Sequence, residues 1–238
     1  MTKLQFDGIE GRVALVTGGG RGIGRSIADL LSSQGAKVAV GDLQPPAIEG
    51  VLGLELDVTS VASVDSAFGQ VESQFGPVEI LIINAGIFVV GPFEDLDSDT
   101  WKRVMTVNST GAFYCAHRAI KPMRENSFGR IVTIGSSGGK TPGKNPSAAY
   151  NASKAAMMML TKSIASEYGQ FGITANVIAP SFIRTEMIAD LPDVTSRIPV
   201  GRLGTPEEIA GMAVFLCSTS AAFITGEVVD INGGIFID

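Results

Sequence analysis

Histidine, cysteine and tryptophan are nearly missing from this chain: 238 residues hold one His, two Cys and one Trp. With His117 alone, no metal site or other constellation needing more than one imidazole can be built, and its setting in "AFYCAHRAI" reads as structural. Cys115 and Cys217 supply neither a disulfide framework nor a zinc cluster, which points to a reducing compartment. Long apolar runs are lacking too. None reaches about 18 residues, and the opening "MTKLQFDGIEG" has no apolar core of the signal-peptide kind. A cytoplasmic protein without membrane contact is expected. Basic residues are outnumbered, 18 Lys and Arg against 24 Asp and Glu, for a formal charge of −6. That balance argues against a nucleic-acid partner, whose phosphates need a basic face.

What the chain has is apolar mass and glycine. Hydrophobic residues make up 45%, and 29 glycines are scattered rather than massed in a linker. This is a globular composition, long enough to bury a substantial core in one domain over residues 1–238. Short β-branched or apolar runs at 12–17, 36–41, 52–58, 78–86, 129–136, 173–180 and 227–233 predict seven strands. Most are apolar throughout, as strands covered on both faces are. Helical patterns lie between nearly all of them, at 23–35, 60–75, 97–125, 146–170 and 206–217. The alternation predicts an α/β protein with a doubly wound parallel sheet flanked by helices. One connection breaks the rhythm. In "LQPPAIEGV" at 43–51, Pro45 and Pro46 forbid helix continuation and Gly50 follows, so a truncated helix or irregular loop is expected.

Two motifs carry chemistry. "TGGGRGIG" at 17–24 joins the first strand to the first helix. Gly18 allows a tight turn, Gly22 lets the backbone approach a pyrophosphate, and Gly24 permits close helix–strand packing. The helix then presents free N–H groups and a positive dipole end to phosphates. A plain glycine-rich turn is the simpler reading, but strand, loop and helix follow in the order of a dinucleotide site. Asp42 ends the second strand about twenty residues on, where a carboxylate accepts bonds from the adenosine ribose and repels a 2′-phosphate. NAD is therefore expected over NADP. The second motif is "AAYNASKAAMMML" at 148–160, in which Tyr150 and Lys154 lie on one helix face. A snorkelling lysine beside a core tyrosine would give the same spacing. The alternative is a phenol tuned to move a proton: its ordinary pKa is near ~10, and a neighbouring ammonium favours the phenolate. Met157 shares that side and Met159 lies nearly opposite, which gives the helix a second apolar face for a partner subunit.

Thr17-Gly-x3-Gly-x-Gly24, "NAG" at 84–86, Asn108 in "TVNSTG", Ser136 and Tyr150-x3-Lys154 occur in the order of the short-chain dehydrogenase/reductases. The chain resembles that family over about residues 9–238. The resemblance implies a single Rossmann-like domain with a seven-stranded parallel sheet, a nicotinamide cofactor and no metal. It implies Tyr150 as general acid/base, Lys154 as its charged neighbour and a ligand of the nicotinamide ribose, and Ser136 as the holder of the substrate oxygen. Asn108 would position a water that relays protons to Lys154. Ser136 precedes Tyr150 by fourteen residues and Ser137 by thirteen, the commoner family interval; "RIVTIGS" aligns on Ser136, which is preferred. Cofactor contacts are implied for Gly18, Arg21, Gly22, Ile23 and Gly24 in the first loop, and for Asp42, Asp57 and Val58 around the adenosine. They are implied also for Asn84, Ala85 and Gly86, for Tyr150 and Lys154, and for Pro180, Ile183 and Thr185. Arg21 is the counter-argument on NADP, since an arginine there binds the 2′-phosphate in some relatives. Ser181 stands where the family usually has glycine.

The resulting expectation is an NAD(P)-dependent oxidoreductase acting on a small or medium-sized secondary alcohol or ketone. Within the family the chain looks very like the 3-oxoacyl-carrier-protein reductases, which form the alternative. Two places where such enzymes hold basic residues for an acidic carrier, before "GR" (129–130) and "GIT" (172–174), here hold Ser127, Phe128 and Phe171. Lys140 and Lys144 could compensate. Those absences, with Asp42, favour a free ketone or alcohol. A non-catalytic dinucleotide-sensing regulator would need no Tyr–Lys–Ser set. A sugar-nucleotide epimerase or dehydratase would need a larger substrate domain than 184–205. A homo-oligomer, a tetramer in the family pattern, is expected from the helix at 146–170 and from the apolar ending Ile235, Phe236 and Ile237.

Overall fold

Side chains alternate between the two faces of a strand, and in this chain both faces are apolar. The computed structural model describes residues 6–45, 47–142, 147–189 and 193–237. Its seven parallel strands form one sheet in the order β3-β2-β1-β4-β5-β6-β7. They are β1 (Val13–Thr17), β2 (Lys37–Asp42), β3 (Leu52–Glu55), β4 (Ile80–Ile83), β5 (Gly129–Ile134), β6 (Ile173–Pro180) and β7 (Val228–Ile231). On one face Ala14, Val16, Ile80, Ile82, Val132 and Ile134 pack under α1 (Gly22–Ser33) and α6 (Pro206–Cys217). The other face gives Val13, Leu15, Leu81, Ile83 and Ile131 to α2 (Val61–Phe75), α4 (Gly111–Glu125) and α5 (Ala148–Tyr168). The doubly wound α/β reading therefore holds, with the core divided between two helix layers.

Local chemistry sets the boundaries. Two strand patterns overrun: pairing stops at Glu55 and Ile83, and Asp57, Val58 and Asn84–Gly86 leave the sheet at its C-terminal edge. The connection from β2 to β3 contains no helix among the described residues, and Ile48 and Val51 close over the core there; Pro46 lies outside the described residues. The helical pattern at 97–125 is interrupted. Helix α3 (Ser98–Met105) is capped by Asp97, whose Oδ1 accepts the amides of Asp99 (2.9 Å) and Thr100 (2.7 Å). One π-type turn at Thr106–Thr110 then leads into α4 and carries Asn108 into full burial. His117 does not enter the core; it is exposed on α4 beside Phe113, with ring centroids 5.5 Å apart. Cys115 and Cys217 are buried, and burial pushes each thiol up to about 12, so neither is a nucleophile at neutral pH. Met157 and Met158 are buried whereas Met159 is 63% exposed, so α5 does look outward with a second apolar side. No described helix is long and apolar enough to cross a membrane.

With β1 beside β4 the strand order reverses direction, and a parallel sheet opens a crevice at such a point, outside the C-terminal strand ends. Thr17, Asp42, Asn84, Ser136 and Pro180 all lie along that edge. One residue of the scaffold is strained. Ser127, just after α4, has φ +51°, alone among the described non-glycine residues in being positive. A left-handed backbone costs a side-chain-bearing residue about 1–2 kcal/mol. Part of that is offset by the freer unfolded chain of glycine, so Ser127→Gly should stabilise the protein by about 0.5–1 kcal/mol. Urea unfolding reads this directly, and a lowered midpoint would contradict it.

Candidate active site

The crevice is assembled from backbone before any reactive side chain enters it. The Thr17 hydroxyl donates to Ile82 O (3.3 Å) and accepts the amides of Asn84 (3.0 Å) and Ala85 (3.1 Å). Asn84 Nδ2 donates to Thr17 O (3.1 Å) and Gly18 O (2.7 Å). Gly18 has φ +63°, and a Cβ there would lie 2.8 Å from Ala85 Cα. At Gly24 a Cβ would lie 2.5 Å from Gly18 O, so α1 can start this close to the turn only with glycine. The first turn of α1 receives no side-chain cap from Arg21. Its N–H groups therefore point outward without a partner from the capping residue, as a bound phosphate requires. Asp42 is pinned beside this loop, with Oδ2 accepting the Gly20 amide (3.0 Å) and Oδ1 the Leu43 amide (2.8 Å). Asp57 Oδ1 accepts from the Thr59 amide and hydroxyl at 2.9 and 2.7 Å, and Val58 is buried against Gly111. The residues present fit a dinucleotide.

Beyond Asn84 the crevice becomes a cleft floored by Ser136, Tyr150 and Lys154 and lined also by Ile23, Asn84, Gly86, Pro180, Ile183 and Thr185. Lys154 is 4% exposed, and its Nζ donates to Ile134 O at 2.8 Å. Burial lowers its pKa to about 8. The ammonium lies 5.6 Å from the centroid of the Tyr150 ring. Burial raises the Tyr150 phenol above its ordinary value, opposed by a hydrogen bond with the Ser136 side chain. This reverses the expected sign: in the protein alone desolvation, not the lysine, governs the phenol, which stays protonated at neutral pH. The Ser136 contact also separates it from Ser137, which lines the same cleft but makes no such bond to Tyr150. Asn108 Oδ1 accepts the Ile87 amide (2.8 Å), and its Nδ2 donates to Ile87 O (3.0 Å) and Ser153 Oγ (2.9 Å). It thus ties the 84–88 segment to the first turns of α5. Phe88, not singled out by any sequence pattern, sets its ring edge against Tyr150 at 4.7 Å and 71°.

The outer wall comes from the segment after β6. Ile183 forms a bridge with Gly204 and is buried, and Phe182, Met187, Ile188 and Ile235 turn apolar surface toward the cleft. Sequence spacing gave no sign of Phe182, Met187 and Ile188, nor of Arg197 beside them; Ile235, expected at a subunit contact, lines the cleft instead. Arg21 does not project freely; it pairs with Glu186 at 2.7 Å across the mouth, both side chains more than three-quarters exposed. Lys140 is not a free cation at the mouth either. It pairs with Asp230 at 2.5 Å and faces the Phe236 ring at 5.2 Å, while Lys144 lies outside the described residues. Phe128 and Phe171 precede β5 and β6, so they sit at the N-terminal edge of the sheet, opposite the cleft. There Phe128 is flanked by the guanidinium groups of Arg12 (3.8 Å) and Arg130 (4.4 Å). Their lack of charge says nothing about the mouth of this chain's own site.

The chain is similar to known proteins over nearly its whole length. A family model described as enoyl-(acyl carrier protein) reductase matches residues 18–235. The 3-oxoacyl-[acyl-carrier-protein] reductase MabA of Mycobacterium bovis is 42% identical over 229 residues, covering 94% of this chain and 92% of that protein. The acetoacetyl-CoA reductase of Shinella zoogloeoides is 42% identical over 238 residues, covering 94% and 98%. The crystal structure of a short-chain type dehydrogenase/reductase from Mycobacterium marinum superposes with a TM-score of 0.92 at 32% identity, covering 98% of each chain.

The buried ammonium makes a testable demand on stability. Between about 8, the folded value of Lys154, and its ordinary 10.5, the folded state binds fewer protons than the unfolded chain. Stability from this group is therefore fully present above 10.5 and lost as pH falls through about 8. Relative to Lys154→Met, wild-type protein should gain about 3 kcal/mol as pH rises through that window. Urea unfolding of both proteins across the pH series checks this, and a constant difference would refute the burial of a charged lysine.

Proposed function

The chain belongs to the short-chain dehydrogenase/reductase family, and from that premise we propose that it reduces the 3-keto group of a 3-oxoacyl thioester with NADH. The family fixes the coarser statement: an oxidoreductase acting on C=O and CH–OH groups with a nicotinamide cofactor and a small-molecule substrate. The observation that carries the reductive reading is that relatives 42% identical are named reductases, and the Tyr150 phenol, which lines the cleft with Ser136, is protonated at neutral pH. A protonated acid next to a substrate oxygen suits reduction at neutral pH. The names of relatives 42% identical, a 3-oxoacyl-carrier-protein reductase and an acetoacetyl-CoA reductase, support the thioester. So does the apolar outer wall, which suits an acyl chain. This reading replaces the free ketone favoured on sequence grounds: Phe128 and Phe171 lie before β5 and β6, away from the cleft, and Asp42, the other half of that argument, bears on the cofactor rather than on the thioester.

A bound nicotinamide would supply the hydride for the keto carbon. The chain does the rest. The Ser136 hydroxyl donates a hydrogen bond to the carbonyl oxygen, and the Tyr150 hydroxyl transfers its proton to that oxygen as negative charge develops there. The Lys154 ammonium favours the phenolate left behind, and it also holds the nicotinamide ribose. Asn108 Oδ1, which among the described residues accepts the Ile87 amide alone, orders the water through which the proton is returned. In the reverse direction the same groups take a proton from an alcohol. Asp42 would receive the adenosine ribose hydroxyls, and Asp57 and Val58 would flank the adenine. Met159 on α5 and the open edge of β7 support a homo-oligomer, a tetramer.

Acetoacetyl-CoA should be reduced with NADH preferred over NADPH by roughly tenfold or more in kcat/KM, since a 2′-phosphate would meet the fixed Asp42 carboxylate. Asp42→Asn, which keeps the shape and removes the charge, should narrow that gap. A free ketone turned over better than the thioester would sink the substrate assignment, and a clear NADPH preference the cofactor assignment. Tyr150→Phe retains the ring and loses only the proton. Its kcat should drop about 10²–10⁴-fold while NADH affinity, followed by fluorescence titration, stays near wild type.

A further inference from the structure

Among the described residues, two cations line the cleft, Lys154 on its floor and Arg197 on its outer wall. Three neighbouring cations are neutralised, Arg21 by Glu186, Lys140 by Asp230 and Arg202 by Glu208, and Arg184, exposed on the same segment, does not line the cleft. Arg197 is different. It is exposed, no described carboxylate pairs with it, and its guanidinium stands over the Phe182 ring at 5.7 Å. Asp193, the acid closest before it in the described chain, commits its Oδ1 to the Thr195 amide (2.9 Å) and hydroxyl (2.7 Å).

The position of Arg197 is nevertheless fixed. It ends a 3₁₀ turn, Thr195–Arg197, whose flanking residues Val194 and Ile198 are 6% and 5% exposed. The Ile198 amide closes the turn on Thr195 O at 3.0 Å, and Val200 N donates to Gly233 O at 3.1 Å. A buried anchor on each side and an aromatic platform beneath orient a planar donor array that fits oxyanions in a bidentate manner. The chain as a whole carries −6 and repels anions at long range, so a single unneutralised arginine inside the cleft stands against the general field.

We propose that Arg197 is a specificity-determining residue that binds an oxyanion of the substrate, remote from the keto carbon. The inference rests on the thioester reading, in which a pantetheine arm carries phosphate; a carboxylate on a free keto acid offers the same chemistry. The test compares kcat/KM for acetoacetyl-CoA with that for its neutral analogue, acetoacetyl-N-acetylcysteamine, and for acetoacetate with its methyl ester. Arg197→Gln should lower the first ratio by roughly tenfold, mainly through KM, the scale of a lost charge-assisted hydrogen bond. Arg197→Lys should recover part of it. A fall confined to the acetoacetate ratio identifies the anion as a carboxylate. If neither ratio moves, or if Lys and Gln behave alike, the anion site is wrong, while thioester reduction itself stands. Wild-type protein that reduces no thioester overturns the thioester reading instead, and the acetoacetate ratio then decides on Arg197.

Discussion

The seam between β1 and β4 governs the rest of the cleft. At Thr17 and Asn84 five hydrogen bonds join two strands that are distant in sequence, and Gly18 lets the turn lie against Ala85. A side chain at residue 18 would meet backbone, not a movable group, so relief would require separating the glycine loop from the 84–88 segment. That segment continues into Ile87, held by Asn108, and Phe88, set against Tyr150. The glycine-loop end and the Tyr150 end are thus two ends of one packed connection. A disturbance at either reaches the other through backbone whose polar groups have partners only in this arrangement.

Burial then decides the electrostatics. Two groups one helical turn apart would, in water, influence each other mainly through charge, and the ammonium would favour ionisation of the phenol. In the cleft both are desolvated, and the penalty falls on whichever form is charged. Tyr150 moves up and Lys154 moves down, to about 8. The lysine keeps its charge at neutral pH with a backbone carbonyl as partner, the Ile134 oxygen. The pair is therefore held as neutral acid beside cation, a state that favours proton donation over proton abstraction until negative charge appears on the phenolic oxygen.

How much of this was legible in sequence follows from the distance over which each feature is determined. The strands were legible because each must be apolar on both faces, and a run such as "ILII" states that locally. The glycine loop, Asp42 and the Tyr150–Lys154 pair were legible because turn geometry and helix periodicity place them with few residues. The overrun past Glu55 and Ile83 was not, since strand pairing ends where a neighbour ends and apolar character does not. Nor was the π-type turn at 106–110, which is stabilised by Asn108 reaching Ile87 and Ser153. The outer wall was invisible for the same reason: Phe182, Arg197 and Ile235 meet only after the chain has passed through α6 and β7. The sign of the Tyr150 shift was misread because spacing reports proximity and carries no measure of solvent.

These differences divide the cleft into two kinds of construction. The glycine-loop side is made of backbone in close approach, where residues are small because atoms of a neighbouring segment occupy the space a side chain would need. The substrate side is made of side chains on a long connection that is tied to the body at few points, the Ile183–Gly204 bridge and the buried Val194 and Ile198 among them. Change in the first kind breaks packing and is felt throughout the fold. Change in the second kind alters what the cleft accepts while its anchors still hold, because Phe182, Met187 and Arg197 contribute surface and charge without supporting a strand. A substitution on such a connection changes the surface and charge of the cleft at little structural cost, because no strand depends on the residue replaced.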